Sequence, residues 1–223
     1  MSGKTIQIPC DSGSFNCYSR TSGKTGPEVV VLHPWWGLND FIRSFCDRLA
    51  GEGFSTIAPD LYGGRLASTI PQAEELSSKL DGKEAFRKVN ATLDYLVRDN
   101  QLLDGKVAVV GFSLGAFFAL DLGATRPEVK GVVVFYGTSG TRQWDKSKAS
   151  YLGHFAEKDP YEDPVYVQAL EKSLKSAGKS VNFYTYPGTG HWFFESDRQD
   201  AYNPEAAALA WKRTLEFLHT TLR

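Results

Sequence analysis

Three cysteines are few for 223 residues, and Cys10, Cys17 and Cys46 lack metal-ligand spacing. None stands in a glycine-flanked turn, so none reads as a nucleophile. Cys10 and Cys17 could pair across neighbouring strands. The odd count, with no apolar leader after Met1-Ser2-Gly3-Lys4-Thr5, argues instead for reduced thiols in the cytoplasm. No apolar run is long enough to span a bilayer. No sign of charge prevails either: 25 Lys and Arg face 26 Asp and Glu, for a formal net charge of -1. Without a basic stripe or an acidic tail, neither nucleic acid nor a membrane surface is expected as a partner. The oligomeric state is not legible. There is no internal repeat, low-complexity tract or composition break, so residues 1–223 are expected to form one domain with a sizeable core.

Against those absences stands a regular alternation of elements. Thr5 to Pro9 and Ser14 to Arg20 read as strands joined by the turn Asp11-Ser12-Gly13, and Lys24-Thr25-Gly26-Pro27 as a second turn. Val29-Val30-Val31-Leu32 is a continuous apolar run, as in a strand covered on both faces. Phe41, Phe45 and Leu49 keep helical spacing over about 39–50, where Gly51 and Gly53 stop the helix. Phe54 to Ala58 is the next strand. Pro71 opens a short helix through Leu80. Residues 85–98 form an amphipathic helix with Phe86, Val89, Leu93, Leu96 and Val97 on one face. A strand at Val107 to Val110 precedes the helix beginning around Ala116. Then come a strand at Val132 to Tyr136, a polar loop from Gly137 to Ser147 and a strand at Ser150 to Ala156. A helix over Pro164 to Ala177 is followed by the strand Val181 to Tyr186 and the loop Pro187 to His191. A last helix from about Pro204 carries Trp211, Leu215, Leu218 and Leu222 on one face. This order implies an α/β fold with a mostly parallel sheet and helices on both faces. Ligands in such folds bind at the carboxyl ends of the strands.

Between the strand Val107–Val110 and its helix lies Gly111-Phe112-Ser113-Leu114-Gly115. A serine hydroxyl is a poor nucleophile unless it stands clear of the backbone, next to a base and to hydrogen-bond donors. A sharp strand-to-helix turn of the Gly-x-Ser-x-Gly type meets those needs, and it is the nucleophile elbow of the α/β-hydrolase fold. The Leu114 N–H, at the helix start, points where an oxyanion would form. The base must follow the serine in the chain. His33 precedes it, His154 lies inside a strand and His219 sits in the last helical turn. His191, after a late strand in the glycine-rich stretch Gly188-Thr189-Gly190, remains. Asp159 is the favoured acid, ahead of Glu157 and of Asp163, which reads as the cap of the helix at Pro164. Asp145 comes too early. The second oxyanion donor is expected in the loop after Val29–Leu32. Pro34 has no N–H to offer, so the Trp35 N–H is the candidate, with Trp35 and Trp36 walling an apolar pocket. No metal or cofactor is called for.

Over nearly its whole length the chain resembles the dienelactone hydrolase family of α/β-hydrolases. The stretches that carry the likeness are Val29 to Asn39, Ala58-Pro59-Asp60-Leu61-Tyr62, the elbow, His154 to Asp159, and Tyr186 to Phe193. The resemblance implies a compact domain without a large lid and a triad of Ser113, Asp159 and His191, with Trp35 and Leu114 as oxyanion donors. Three departures stand out. The family's founding enzymes use cysteine where this chain has Ser113. They carry a glutamate after the third strand to hold the thiol in check, where Pro34 stands here. They grip a substrate carboxylate with two arginines. Arg65 is a candidate for one, while Glu195, of opposite sign, stands near the place of the other. The expectation is a serine hydrolase of carboxylic esters or lactones, acting on a more general or uncharged ester rather than on the dienelactone itself, with Trp36, Arg65 and Glu195 at the substrate. The alternatives are the same machinery on a thioester, amide or phosphoester, or a non-catalytic binding module.

Overall fold

Strand and helix alternate along the chain as the apolar periodicity requires. The computed structural model describes residues 3–11, 13–23, 26–98, 105–141 and 143–222. Met1 and Ser2, Ser12 of the first expected turn, Lys24 and Thr25 of the second, and Arg142 of the polar loop lie outside the described residues. The chain divides into two compact units, Met1–Val107 and Ala108–Arg223.

In the first unit, β1 (Lys4–Cys10) and β2 (Gly13–Arg20) form an antiparallel hairpin, and β2 pairs antiparallel with β4 (Ser55–Pro59). β3 (Glu28–Leu32) pairs parallel with β4, so the strand order is β1-β2-β4-β3. Every residue of β3 and β4 is buried, as expected of strands covered on both faces. The hairpin register sets Cys10 opposite Gly13 and Cys17 opposite Ile6, so the two thiols do not face each other, and none of the three cysteines is in a disulfide. α1 (Asp40–Gly51) starts where the Asn39 side chain accepts the Ile42 N–H, and it buries Phe41, Phe45 and Leu49. Pro71 falls in the first turn of α2 (Ile70–Ser78), which Thr69 caps. α3 (Gly82–Arg98) buries Ala85, Val89, Thr92, Leu93 and Leu96. Its seam is rotated from the expected one: Val97 is exposed and small Ala85 lies inside.

In the second unit the order is β5-β6-β7-β8: β5 (Val107–Phe112), β6 (Val129–Phe135), β7 (Ser150–Lys158) and β8 (Val181–Gly190). β6, β7 and β8 pair in parallel. The helices are α4 (Leu114–Thr125), α5 (Pro164–Ser176) and α6 (Pro204–Leu222). They cover both faces, and β6 shows how. A methyl added at Gly131 would meet Phe217 and Thr221 of α6, while Val132 next to it packs on Gly123 of α4. Successive strand residues point to opposite faces, so the two helices lie on opposite sides. The buried seam of α6 is Ala207, Ala210, Thr214, Leu218 and Leu222 rather than a line through Trp211 and Leu215. Small residues occupy its centre and the larger side chains flank it.

Two strands run further than their apolar patterns suggest. β7 continues from Ala156 to Lys158, and β8 continues through Pro187 and Gly188 to Gly190. Proline is tolerated because β8 is an edge strand, where a missing N–H need break no ladder bond. The register slips after Ala156↔Tyr186 and resumes at Lys158↔Gly190. Asp159 and His191 are therefore the next residues of adjacent parallel strands.

Candidate active site

The turn after β5 is strained at its apex. Ser113 has φ 48° and ψ -109°, a region that bulky side chains avoid. A Cβ on Gly111 would collide with the backbone of Gly115 and Ala116, which accounts for glycine there. The Ser113 N–H donates to the Phe135 carbonyl at the end of β6 (2.9 Å), and the Ser113 carbonyl accepts the Ala116 N–H (2.9 Å). Leu114 is the first residue of α4, and first-turn N–H groups have no partner within their own helix.

Ser113, His191 and Asp159 stand in a hydrogen-bonded line. Ser113 Oγ lies 3.0 Å from His191 Nε2. His191 Nδ1 lies 2.8 and 2.7 Å from the two Asp159 oxygens. A carboxylate only accepts, so Nδ1 carries the proton and Nε2 is free to accept from the serine hydroxyl. Asp159 Oδ1 also accepts the N–H groups of Tyr161 (2.9 Å) and Glu162 (3.1 Å). The His191 and Asp159 side chains are 4% and 3% exposed, so their attraction is little screened by water.

The competing residues have other partners. Asp163 accepts the Val165 N–H (2.8 Å) and caps α5. Glu157 accepts the Gly188 N–H (2.9 Å) across the register slip. Fully buried His154 lies 2.8 Å from the Tyr186 hydroxyl and 3.0 Å from Thr214 Oγ1. Burial, and then the nearby Arg213 charge, push its pKa down to about 3. His33, in the first unit, accepts the Leu61 N–H at Nε2 (3.2 Å) and holds the Pro34 carbonyl at Nδ1 (2.6 Å). His219 lies in the last turn of α6.

Three aromatic rings that the sequence did not single out surround the His191 imidazole. Their centroids lie 4.8 Å (Tyr136), 5.1 Å (Tyr161) and 5.2 Å (Trp192) from it. Tyr161 is 47% exposed, so it is the ring best placed to meet a ligand beside His191. Its signal was its position two residues after Asp159. Tyr136 is buried, and nothing in the sequence marks it apart from its place at a strand end. Glu162 was missed too: both its oxygens accept from Thr138, at N (2.8 Å) and Oγ1 (2.8 Å). Burial raises its pKa more than the two bonds lower it.

The expected substrate residues fare differently. Trp36 and Glu195 have no exposed surface, so neither can touch a substrate in this conformation. Trp36 is turned edge-on to Trp35, with centroids 5.4 Å apart, and Glu195 Oε1 accepts the Tyr136 hydroxyl (2.7 Å). Arg65 is exposed and donates through Nε to the Tyr62 carbonyl (3.1 Å). Trp35 is part-buried in the turn closed by the Gly37 N–H on the Pro34 carbonyl (3.2 Å). Among the described residues no group of three or more His, Cys, Asp or Glu side chains could hold a metal ion.

A family model described as "Dienelactone hydrolase family" matches residues 15–222. The chain belongs to that family. At the family level it is a hydrolase of lactones and esters. A protein of Aquifex aeolicus (strain VF5) with a provisional carboxymethylenebutenolidase name is 30% identical over 230 residues, covering 99% of this chain and all of the relative. "Protein usf" of Aquifex pyrophilus is also 30% identical, covering 96% of this chain and 97% of its own. A solved structure titled a dienelactone hydrolase-like promiscuous phosphotriesterase, from metagenomic libraries, superposes with a TM-score of 0.86 at 20% identity, covering 100% of both chains. At that identity the likeness speaks for the fold, which is the α/β-hydrolase fold. No helix among the described residues of this dienelactone hydrolase family member is long and apolar enough to cross a membrane.

Proposed function

We propose that the protein hydrolyses small carboxylic esters or lactones through a Ser113–His191–Asp159 triad and an acyl-enzyme. The observation that carries this reading is the line of three hydrogen-bonded side chains, with Ser113 held in a strained turn at its open end. Ser113 Oγ attacks the carbonyl carbon while His191 Nε2 takes the hydroxyl proton. Asp159 keeps the Nδ1–H tautomer and stabilises the imidazolium. The carbonyl oxygen becomes an anion beside the Leu114 N–H. The Trp35 N–H enters as second donor on its sequence position after β3 alone. When the tetrahedral adduct collapses, His191 returns the proton to the leaving alkoxide. Water, activated by the same imidazole, then attacks the acyl-serine and regenerates the hydroxyl. A cytoplasmic setting fits three cysteines outside any disulfide.

Ser113→Ala should lower kcat on a p-nitrophenyl ester by ~10⁴ or more while the protein stays folded. A fluorophosphonate should label wild type at Ser113 and leave the variant unlabelled. Near-wild-type turnover by Ser113→Ala would refute the triad. The same nucleophile suits thioesters, amides and phosphoesters, so a panel of those substrates beside esters and lactones decides the class.

A further inference from the structure

β6 ends at Phe135, and the four residues Phe135, Tyr136, Gly137 and Thr138 touch Ser113 and His191 directly and reach Asp159 through Glu162. The Phe135 carbonyl accepts the Ser113 N–H at 2.9 Å. Tyr136 donates its N–H to the His154 carbonyl (2.8 Å) and lays its ring 4.8 Å from the His191 ring. Gly137 backs onto the nucleophile: a Cβ there would stand 2.7 Å from the Ser113 carbonyl oxygen. Thr138 donates twice to Glu162, whose own N–H donates to Asp159 Oδ1 at 3.1 Å.

The base side of this strip closes on itself. The Phe193 N–H donates to the Gly190 carbonyl (3.2 Å) and the Glu195 N–H to the Trp192 carbonyl (2.8 Å), making a tight turn from His191 to Glu195. At its far end Glu195 accepts the Tyr136 hydroxyl (2.7 Å), and the Tyr136 ring lies on His191, where the turn began. Both Tyr136 and Trp192 have left-handed backbones, with φ 38° and 67°. Bulky residues hold that conformation only where the surroundings fix it. The Tyr136 hydroxyl stays protonated, since burial first and the Glu195 charge second push its pKa well above the usual tyrosine value. A phenol bonded to a carboxylate costs more to bury than two apolar side chains of the same shape. It offers in return a fixed distance and direction.

We infer that Phe135–Thr138 is the template of the triad, with Tyr136–Glu195 as the positioning pair for the base and Thr138–Glu162 as the positioning pair for the acid. The inference rests on the triad reading above. It gives Glu195 work away from the substrate and Glu162 a role that its place near the acid did not announce.

The test uses the full chain, comparing wild type with Tyr136→Phe, Glu195→Gln, the double variant and Thr138→Val on a p-nitrophenyl ester. Folding is checked by near-ultraviolet circular dichroism. Tyr136→Phe and Glu195→Gln should each lower kcat by ~10- to 100-fold with KM within twofold, because orientation rather than binding is lost. The double variant should be no slower than the worse single, since Tyr136→Phe removes the same bond that Glu195→Gln weakens by taking the charge off its acceptor. The downfield proton resonance of His191 Nδ1–H should shift or broaden in both. Thr138→Val should act in the same direction. If Glu195→Gln fails to fold, Tyr136→Phe, which loses one oxygen, carries the comparison. Unchanged kcat and an unchanged His191 resonance in folded variants, or losses that simply add, would overturn the template. If wild type hydrolyses no ester and takes no fluorophosphonate, the triad reading fails. The His191 resonance then still tests the template by itself.

Discussion

Asp159 and Asp163 lie four residues apart and differ in work because different groups surround them. Asp159 is turned inward, bonded to the imidazole and steadied by two backbone N–H groups. Asp163 is exposed and spends its carboxylate on the first turn of α5. Asp159→Asn should keep the shape and lose the tautomer control, lowering kcat by ~10⁴. Asp163→Ala should leave kcat within twofold and cost about 1 kcal/mol of stability, the usual worth of such a cap. A larger kcat loss from Asp163→Ala than from Asp159→Asn would reverse the assignment. That Ser113 and His191 come together was legible because each stands in a glycine-bounded turn. Tyr136 and Glu195 were not legible. Their bond joins residues 59 apart, and local pattern carries no information about such a contact.

Among the elements, β7 and β8 matter most for the site. The apolar pattern ends β8 at Tyr186, since Pro187 and Gly188 ordinarily break a strand. The pairing nevertheless continues to Gly190, because a register slip absorbs the extra residues. Gly188 makes the slip possible with φ 71°, and its N–H is taken by Glu157. Tyr186 holds the base of the slip, where its carbonyl accepts the Thr189 hydroxyl (2.7 Å). Without the slip, the residue after Lys158 and the residue after Gly190 would not be neighbours. Gly188→Ala meets no neighbour within 4 Å, so its effect isolates the backbone conformation. It should cost about 1 kcal/mol and lower kcat more than it changes KM, as seen by denaturant titration alongside steady-state kinetics. Unchanged kcat would show that the slip does not govern the placement of His191. Strand ends were thus the poorly legible part of the fold, whereas β3, β5 and the helices were read to within a few residues. Continuous apolar runs and helical spacing mark where an element lies, though not which seam of α3 or α6 is buried, and strand ends depend on pairing.

For the whole molecule the open matter is how the chain unfolds. The family model runs from residue 15 to 222, through both compact units, and we read the chain as one domain. Glu28 is a reporter built into the first unit. It opens β3, is 7% exposed, and burial raises its pKa from 4.5 to about 7. The folded state therefore holds the proton more tightly than the unfolded state. Below about pH 4.5 both states are protonated and there is no cost. Between about 4.5 and 7 the unfolded chain releases the proton while the folded one keeps it, so stability falls as pH rises. Above that window the penalty is complete, up to about 3 kcal/mol for this shift. Glu28→Gln removes the ionisation. The variant should match wild type near pH 4.5 and exceed it at pH 8, by up to roughly 6–12 °C in Tm if the chain unfolds as a unit. Scanning calorimetry reads both questions at once. One domain gives a single transition, and the substitution moves all of it. Two independent units would give two transitions, of which only that containing Glu28 would move. A stability difference that does not change between pH 4.5 and 8 would mean that Glu28 does not titrate as its burial requires.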